Sequence, residues 1–205
     1  MMIAPILPQG IELTLTGRIG SRPYIEMTAA IMKHFGVSVS FHDNKIDIPN
    51  QTYRPARFFV ESDWSAASYW FAFAALAQEA NIMLPKLSIP SIQGDSAIQK
   101  IMTSLGVTAN MKDGMLHLSK STEEKELKFD FTHCPDLAQT VAVVCAAKGV
   151  KGFFTGLESL RIKETDRIAA LQTELHKIGA DLIEDDPEHW RVLPSSKLPA
   201  AATFS

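Results

Sequence analysis

A helix–glycine–hairpin pattern occurs three times in this chain of 205 residues, and it constrains the fold more than any other feature. The copies lie at residues 31–50, 101–120 and 174–193. Each begins with the end of an apolar-periodic helix, continues with a glycine (Gly36, Gly106 or Gly179) and ends with two short apolar segments around a polar turn. Glycine is expected directly after a helix because it adopts a positive φ without a Cβ clash. A spacing of about 70 residues indicates a supersecondary unit rather than a short solenoid repeat.

The segments between these copies complete each unit as βαβαββ, which predicts an α/β (α+β) fold with mixed sheets. Strands outside the hairpins are predicted at 11–17, 57–62, 81–87, 127–131 and 150–156. Helices are predicted at 23–35, 65–78, 96–105, 137–148 and 163–178. The first unit lacks its opening strand and helix. A strand runs directly into a helix near Glu61–Ser62, with Ser62 or Asp63 as the helix cap, so we place a domain boundary between residues 1–61 and 62–205.

Composition excludes several classes of function. Hydrophobic residues make up 46% and charged residues 21%, which is ordinary for a globular protein with a buried core. A net charge of −3 argues against a nucleic-acid partner, so any anion site must be local. No apolar run reaches the ~20 residues needed to cross a membrane, so no membrane association is expected. Cys134 and Cys145 match no metal-binding spacing and indicate a reduced, cytoplasmic protein without a metal.

Residues 157–179, "LESLRIKETDRIAALQTELHKIG", carry charges of both signs before an amphipathic helix. These charges are Glu158, Arg161, Lys163, Glu164, Asp166 and Arg167. Acidic side chains suit the start of a helix, whereas Lys163 and Arg167 oppose the helix dipole unless an anion binds there. One interpretation is a solvated salt-bridge cluster; the other is a site for an anionic substrate with its own acid and base.

Two further helix starts carry polar groups. "HCPDLAQT" at 133–140 places Asp136 before an apolar helix, and "GSRPYIEMT" at 20–28 places Ser21 and Tyr24 around a Pro-containing helix start. Considered singly, Asp136 and Ser21 are typical of helix caps. Considered together with the charged stretch, three helix starts at equivalent places in a repeated unit would collect N–H groups and cations for a polyanionic substrate.

"SLRIKETDRIAAL", "SRPYIEMT", "CPDLAQT" and "IQGD", in this order and spacing, resemble the EPSP synthase (3-phosphoshikimate 1-carboxyvinyltransferase) family of enolpyruvyl transferases. The resemblance covers essentially the whole chain. It implies the inside-out α/β barrel fold, in which each of two globular domains has three βαβαββ units. Residues 1–61 would then be the truncated last unit of one domain, and 62–205 two units of the other, so the fold is incomplete.

The resemblance also implies a reaction. Such enzymes transfer the enolpyruvyl group of phosphoenolpyruvate to the 5-hydroxyl of shikimate 3-phosphate and release phosphate, on the route to chorismate and aromatic amino acids. No metal or organic cofactor takes part. Asp136 matches the proton acceptor for the hydroxyl, Glu164 the acid that protonates the methylene carbon, and Arg167 the arginine that holds phosphoenolpyruvate. Because Lys163 and Arg167 flank Glu164, we expect this carboxylate to stay ionised unless it is desolvated.

The remaining matched positions concern shikimate 3-phosphate. Lys163 and Ser21 match residues that contact this substrate, and Tyr24 lines the same site. Ser159 stands where the family has an asparagine; it keeps a hydrogen-bond donor but is shorter. A second departure is Trp64, with Ser62, where the family has small residues.

Several alternatives stay open at the level of sequence. The chain also fits a UDP-N-acetylglucosamine enolpyruvyl transferase, or a non-catalytic domain with the same repeat. An RNA-modifying relative would predict a basic stripe, and none is visible. Since several family motifs have no counterpart within the 205 residues, we expect this chain to be inactive on its own, and the full-length enzyme to be monomeric.

Overall fold

The structure, a computed structural model, describes residues 1–17 and 19–195. The helices in these ranges are α1 (Arg22–His34), α2 (Trp64–Leu76), α3 (Ile98–Ser104), α4 (Leu137–Lys148) and α5 (Arg167–Lys177). The strands are β1 (Ile11–Thr14), β2 (Ser40–His42), β3 (Lys45–Ile48), β4 (Asn81–Pro85), β5 (Leu105–Lys112), β6 (Met115–Glu123), β7 (Glu126–Asp130), β8 (Lys151–Thr155), β9 (Asp181–Asp186) and β10 (His189–Leu193). The chain forms two compact units: Met1–Val60 with Ile92–Gly94, and Glu61–Ser91 with Asp95–Ser205.

The first unit contains one antiparallel sheet in the order β1-β3-β2, together with α1. Alternate residues of β3 are buried, so that Ile46 and Ile48 enter a small core while Lys45 and Asp47 remain outside. Such alternation with a period of two is expected when only one face of a sheet is covered. The buried side chains of this core are Ala4, Met32, Val37, Ile46 and Ile48.

The second unit contains two sheets, in the orders β4-β6-β5 and β7-β8-β10-β9. β7 and β8 are parallel, because α4 connects them as a crossover, and the other pairs are antiparallel. α2 and α4 pack in the core of this unit, where Phe71 and Val141 are fully buried. α2 is apolar on all sides, and its outer residues Tyr69, Trp70 and Phe73 remain exposed.

The predicted repeat is confirmed in all three places. Gly36 precedes the β2–β3 hairpin, Gly106 lies at the start of the β5–β6 hairpin, and Gly179 precedes the β9–β10 hairpin. Their φ angles are +83°, +85° and +74°, the left-handed region that glycine enters without strain. Ser62 and Asp63 were the two predicted caps of α2, and Asp63 is the one observed, since its carboxylate accepts a hydrogen bond from the Ser65 N–H at 2.8 Å.

One predicted strand is absent, and one predicted helix is present but begins later than expected. Residues 57–62 form no strand; the side chains of Phe58, Phe59 and Val60 are exposed. A β-forming composition is not sufficient without a neighbouring strand to pair with. α5 begins at Arg167 rather than Lys163, because Asp166 caps it and accepts from the Ala169 N–H at 3.0 Å.

Both cysteines are buried free thiols of the second unit. Burial raises the pKa of Cys134 to about 12, with further contributions from the nearby Asp95, Asp130 and Asp136 carboxylates, and burial raises that of Cys145 to about 12 as well. We therefore expect thiol reagents to react with the native chain about a thousandfold more slowly at about pH 8 than with the unfolded chain. Rapid labelling of either cysteine in the folded chain would contradict this prediction.

Among residues 1–17 and 19–195, none of the helices combines the length and the apolar character that crossing a membrane requires.

Candidate active site

Arg167 joins two of the predicted acidic residues in one cluster. Its Nε and Nη2 atoms donate to the two carboxylate oxygens of Glu164, each at 2.9 Å. Its Nη1 atom donates to Asp136 Oδ1, also at 2.9 Å. The Lys163 ammonium lies 3.2 Å from the same Asp136 oxygen. The structure therefore places Asp136, Lys163, Glu164 and Arg167 together, although Asp136 comes from a different helix start.

The four residues come from two chain segments of the second unit. Asp136 is the residue before α4, whereas Lys163 and Glu164 lie in a short segment between a 3₁₀ turn, Glu158–Ile162, and the start of α5. Arg167 is the first residue of α5. Because α5 begins at Arg167, Lys163 and Glu164 do not belong to its first turn, and the predicted opposition between Lys163 and the helix dipole does not arise there.

Arg161 and Asp166 hold this segment in place. Arg161 bonds to Glu184 on β9 and lies 3.4 Å from Asp166 Oδ2, while the other oxygen of Asp166 caps α5. The segment between them is thus anchored to the sheet at one end and to α5 at the other. We infer that these contacts position Lys163 and Glu164.

The side chain of Asp136 does not cap α4, contrary to the simplest interpretation of the sequence. Asp136 occupies the N-cap position with φ −68° and ψ −17°, and its carboxylate makes no capping hydrogen bond. The carboxylate instead pairs with Arg167 and Lys163. Both cations that contact Asp136 therefore come from the segment around the start of α5, and neither contact belongs to α4 itself.

Glu164 is held as a carboxylate in this structure. Its pKa is lowered by a hydrogen bond from its own backbone N–H, and further by the hydrogen bonds from Arg167. This agrees with the expectation that Glu164 stays ionised between Lys163 and Arg167. Its side chain is 66% exposed, whereas that of Asp136 is 29% exposed. The two carboxylates thus occupy different environments, and such environments favour different roles for two acids in one site.

The other three predicted residues belong to other segments of the chain. Ser159 is half-buried in the 3₁₀ turn, four residues before Lys163. Ser21 and Tyr24 lie at the start of α1, in the first compact unit. Ser21 has a φ of +56° and makes no capping hydrogen bond with its side chain, so the cap predicted for it is wrong. A left-handed serine is strained, and such strain is enriched at functional sites.

Gln139 is a contact of Arg167 that was not predicted from the sequence. Its Oε1 atom lies 3.4 Å from Arg167 Nη1, one helical turn after Asp136 in α4. The spacing in "DLAQT" was the available signal, because residues three apart in a helix share a face. Arg161 was counted among the charges of residues 157–179, but its pairing with β9 depends on tertiary packing.

Residues 1–202 match the family model of EPSP synthase (3-phosphoshikimate 1-carboxyvinyltransferase). The chain belongs to the EPSP synthase family. A relative from Bacteroides fragilis (strain YCH46), named 3-phosphoshikimate 1-carboxyvinyltransferase, is 49% identical over 181 residues, covering 87% of this chain and 44% of the relative. A relative of the same name from Methanocaldococcus jannaschii is 36% identical over 203 residues, covering 98% of this chain and 47% of the relative.

The fold agrees with that of the family. The solved EPSP synthase of Acinetobacter baumannii superposes with a TM-score of 0.63 at 20% identity, covering 96% of this chain and 45% of that one. The predicted EPSP synthase resemblance and the enolpyruvyl transferase fold are therefore confirmed. The chain spans about half the length of the curated EPSP synthase relatives that it matches.

Proposed function

We propose that the protein containing this chain transfers the enolpyruvyl group of phosphoenolpyruvate to the 5-hydroxyl of shikimate 3-phosphate and releases phosphate. The observation that carries this proposal is the placement of Arg167 between Asp136 and Glu164, in a chain of the EPSP synthase family. The cluster thus contains a cation that can bind an anionic substrate and two carboxylates that can act as base and acid.

The proposed reaction assigns one role to each carboxylate. In the addition step, Asp136 takes the proton from the attacking hydroxyl, and Glu164 gives a proton to the methylene carbon of phosphoenolpyruvate. A carbon–oxygen bond forms, and the methylene group becomes a methyl group. In the elimination step, the methyl group returns a proton to Glu164, the carbon–oxygen bond to phosphate breaks as Asp136 gives its proton to the departing phosphate, and the carbon–carbon double bond returns. The base and the acid thus exchange protonation states over the cycle.

The cations stabilise charge on the substrates. Arg167 suits the carboxylate or phosphate of phosphoenolpyruvate because its planar guanidinium group forms paired hydrogen bonds to such anions. Lys163 is proposed to contact shikimate 3-phosphate as a point charge. Ser21, Tyr24 and Ser159 are proposed as further contacts of that substrate, with Ser159 reaching less far than the asparagine of the family pattern.

We also propose the cellular context that goes with this activity. The protein needs no cofactor or metal, acts in the cytoplasm on its two small-molecule substrates, and is monomeric at full length. The two compact units are proposed to be parts of two globular domains, with the boundary near Glu61–Ser62.

Acceptor specificity tests the proposal against its alternatives. The complete protein is incubated with phosphoenolpyruvate and either shikimate 3-phosphate or UDP-N-acetylglucosamine, and phosphate release is followed. Release only with shikimate 3-phosphate supports the proposal. Release only with the UDP-sugar supports the other enolpyruvyl transferase, and release with neither supports a non-catalytic domain.

A further inference from the structure

Arg167 has both edges of its guanidinium group occupied by the chain itself. The Nε–Nη2 edge bonds to the two oxygens of Glu164, and Nη1 bonds to Asp136 and Gln139. An incoming carboxylate or phosphate prefers the same paired geometry that Glu164 now has. The ligand and Glu164 therefore compete for one edge of Arg167.

The charges of the cluster are balanced before a ligand arrives. Lys163 and Arg167 contribute two positive charges, and the carboxylates of Asp136 and Glu164 contribute two negative charges. An added anion leaves the cluster with net negative charge, and neighbouring like charges favour protonation of one carboxylate. A proton taken up by one of the two carboxylates offsets part of the added charge.

Glu164 is the carboxylate that is easier to displace. Its side chain is 66% exposed, and within residues 1–17 and 19–195 its ion-pair partner is Arg167. Asp136 is 29% exposed and, if Arg167 moves, retains its contact with Lys163 at 3.2 Å. The charged groups facing Glu164 are Arg167 of α5 and Lys163 of the preceding segment; Asp136, before α4, faces it across Arg167.

We infer that an anionic ligand displaces Glu164 from Arg167 and that the released carboxylate then takes a proton from a solvent acid, hydronium or buffer. One O–H bond forms on Glu164, and no substrate bond changes in this step. The inference rests on the proposed function, since it takes phosphoenolpyruvate as the ligand. Binding of phosphoenolpyruvate to Arg167 would then also cause Glu164 to become protonated. It explains how a glutamate held ionised in the free chain becomes a proton donor.

Carboxyl-carbon NMR tests this coupling directly. The complete protein is labelled at the glutamate and aspartate carboxyl carbons, the Glu164 signal is assigned with the Glu164→Gln variant, and the pKa of Glu164 is measured with and without phosphoenolpyruvate. We expect the ligand to raise the pKa of Glu164. We also expect the Arg167→Gln variant to raise it without any ligand, and further addition of phosphoenolpyruvate to have little effect.

Arg191 provides a matched control. It forms an equivalent pair with Asp185 on β9, with nitrogen–oxygen distances of 2.5 and 2.6 Å. Arg191→Gln should raise the pKa of Asp185, which Arg191 now lowers, and should leave that of Glu164 unchanged. Amide spectra with native dispersion verify that each variant is folded, and Arg167→Lys, which keeps the charge but not the paired geometry, replaces Arg167→Gln if that variant is unfolded.

The possible results separate the two proposals. If phosphoenolpyruvate shifts the Arg167 Nε resonance while the pKa of Glu164 stays constant, the coupling is wrong and the proposed function stands. If no Arg167 variant raises the pKa of Glu164 in the free chain, the coupling is also wrong. If saturating phosphoenolpyruvate leaves the Arg167 resonances unchanged, Arg167 is not its ligand, and both proposals are contradicted.

Discussion

Glu164→Gln and Asp136→Asn in the complete protein are expected to lower kcat by a factor of about 10²–10⁴ each, the usual contribution of a general acid or base. Both amides keep the size of the side chain and lose the ability to exchange a proton at neutral pH. KM for phosphoenolpyruvate should change less than kcat, because Arg167 remains. Steady-state phosphate release with shikimate 3-phosphate as the acceptor measures both parameters.

Glu174→Gln is the control for these variants. Glu174 is an ion-paired carboxylate too, with its Oε1 atom 2.8 Å from the Lys177 ammonium. It lies on α5 and is not part of the Arg167 cluster. Its amide variant should retain nearly full kcat. Activity within a few-fold of wild type in Glu164→Gln or Asp136→Asn would overturn the role assigned to that residue.

Gly156→Ala is expected to destabilise the second unit by at least about 3 kcal/mol, as the sum of a strained backbone and a clash. Gly156 follows β8 with a φ of +76°. A Cβ atom there would press on the backbone nitrogen of Thr132 and lie 2.6 Å from Asp130 Oδ1. Asp130 Oδ1 also bonds to the Thr132 N–H at 2.9 Å, so moving either group away from the added Cβ atom would disturb this hydrogen bond. Chemical denaturation followed by tryptophan fluorescence measures the change in the free energy of unfolding, since Trp64 and Trp190 are buried in this unit.

Gly149→Ala separates the two causes. Gly149 has nearly the same φ, +75°, at the end of α4, but an added Cβ atom would meet nothing within 4 Å. Gly149→Ala should lower the free energy of unfolding only by the cost of placing alanine at a positive φ, about 1 kcal/mol. If the two variants were equally destabilised, the clash with Thr132 would make no contribution to the effect of Gly156→Ala.

The repeat could be predicted from the sequence because its signals are local. Gly36, Gly106 and Gly179 each follow a periodic helix directly, and a positive φ after a helix is a property of a few neighbouring residues. The same holds for Asp63 as the cap of α2. Residues 57–62 show the limit of such reasoning, because a strand depends on a partner that composition does not specify.

The cluster itself depends on tertiary packing. Asp136 and Arg167 are 31 residues apart in sequence, and their contact requires α4 and α5 to start side by side. The position of Asp136 directly before an apolar helix favoured a helix cap. The three equivalent helix starts together predicted a shared anion site, but the sequence did not specify the ion pair between Asp136 and Arg167. Gly156 gave no signal either, since its tight fit against Thr132 appears only once β8 and the turn after β7 are packed together.

The central claim is that Glu164 protonates the methylene carbon of phosphoenolpyruvate within this cluster. Proton NMR in deuterated solvent tests it most directly, with the complete protein, phosphoenolpyruvate and shikimate 3-phosphate present. Addition followed by elimination passes through a methyl group, so deuterium from Glu164 should appear in the vinyl group of the product. We predict this incorporation in the wild-type protein and its loss in Glu164→Gln. Undiminished incorporation in Glu164→Gln, or a wild-type product whose vinyl group carries no deuterium, would contradict the assignment.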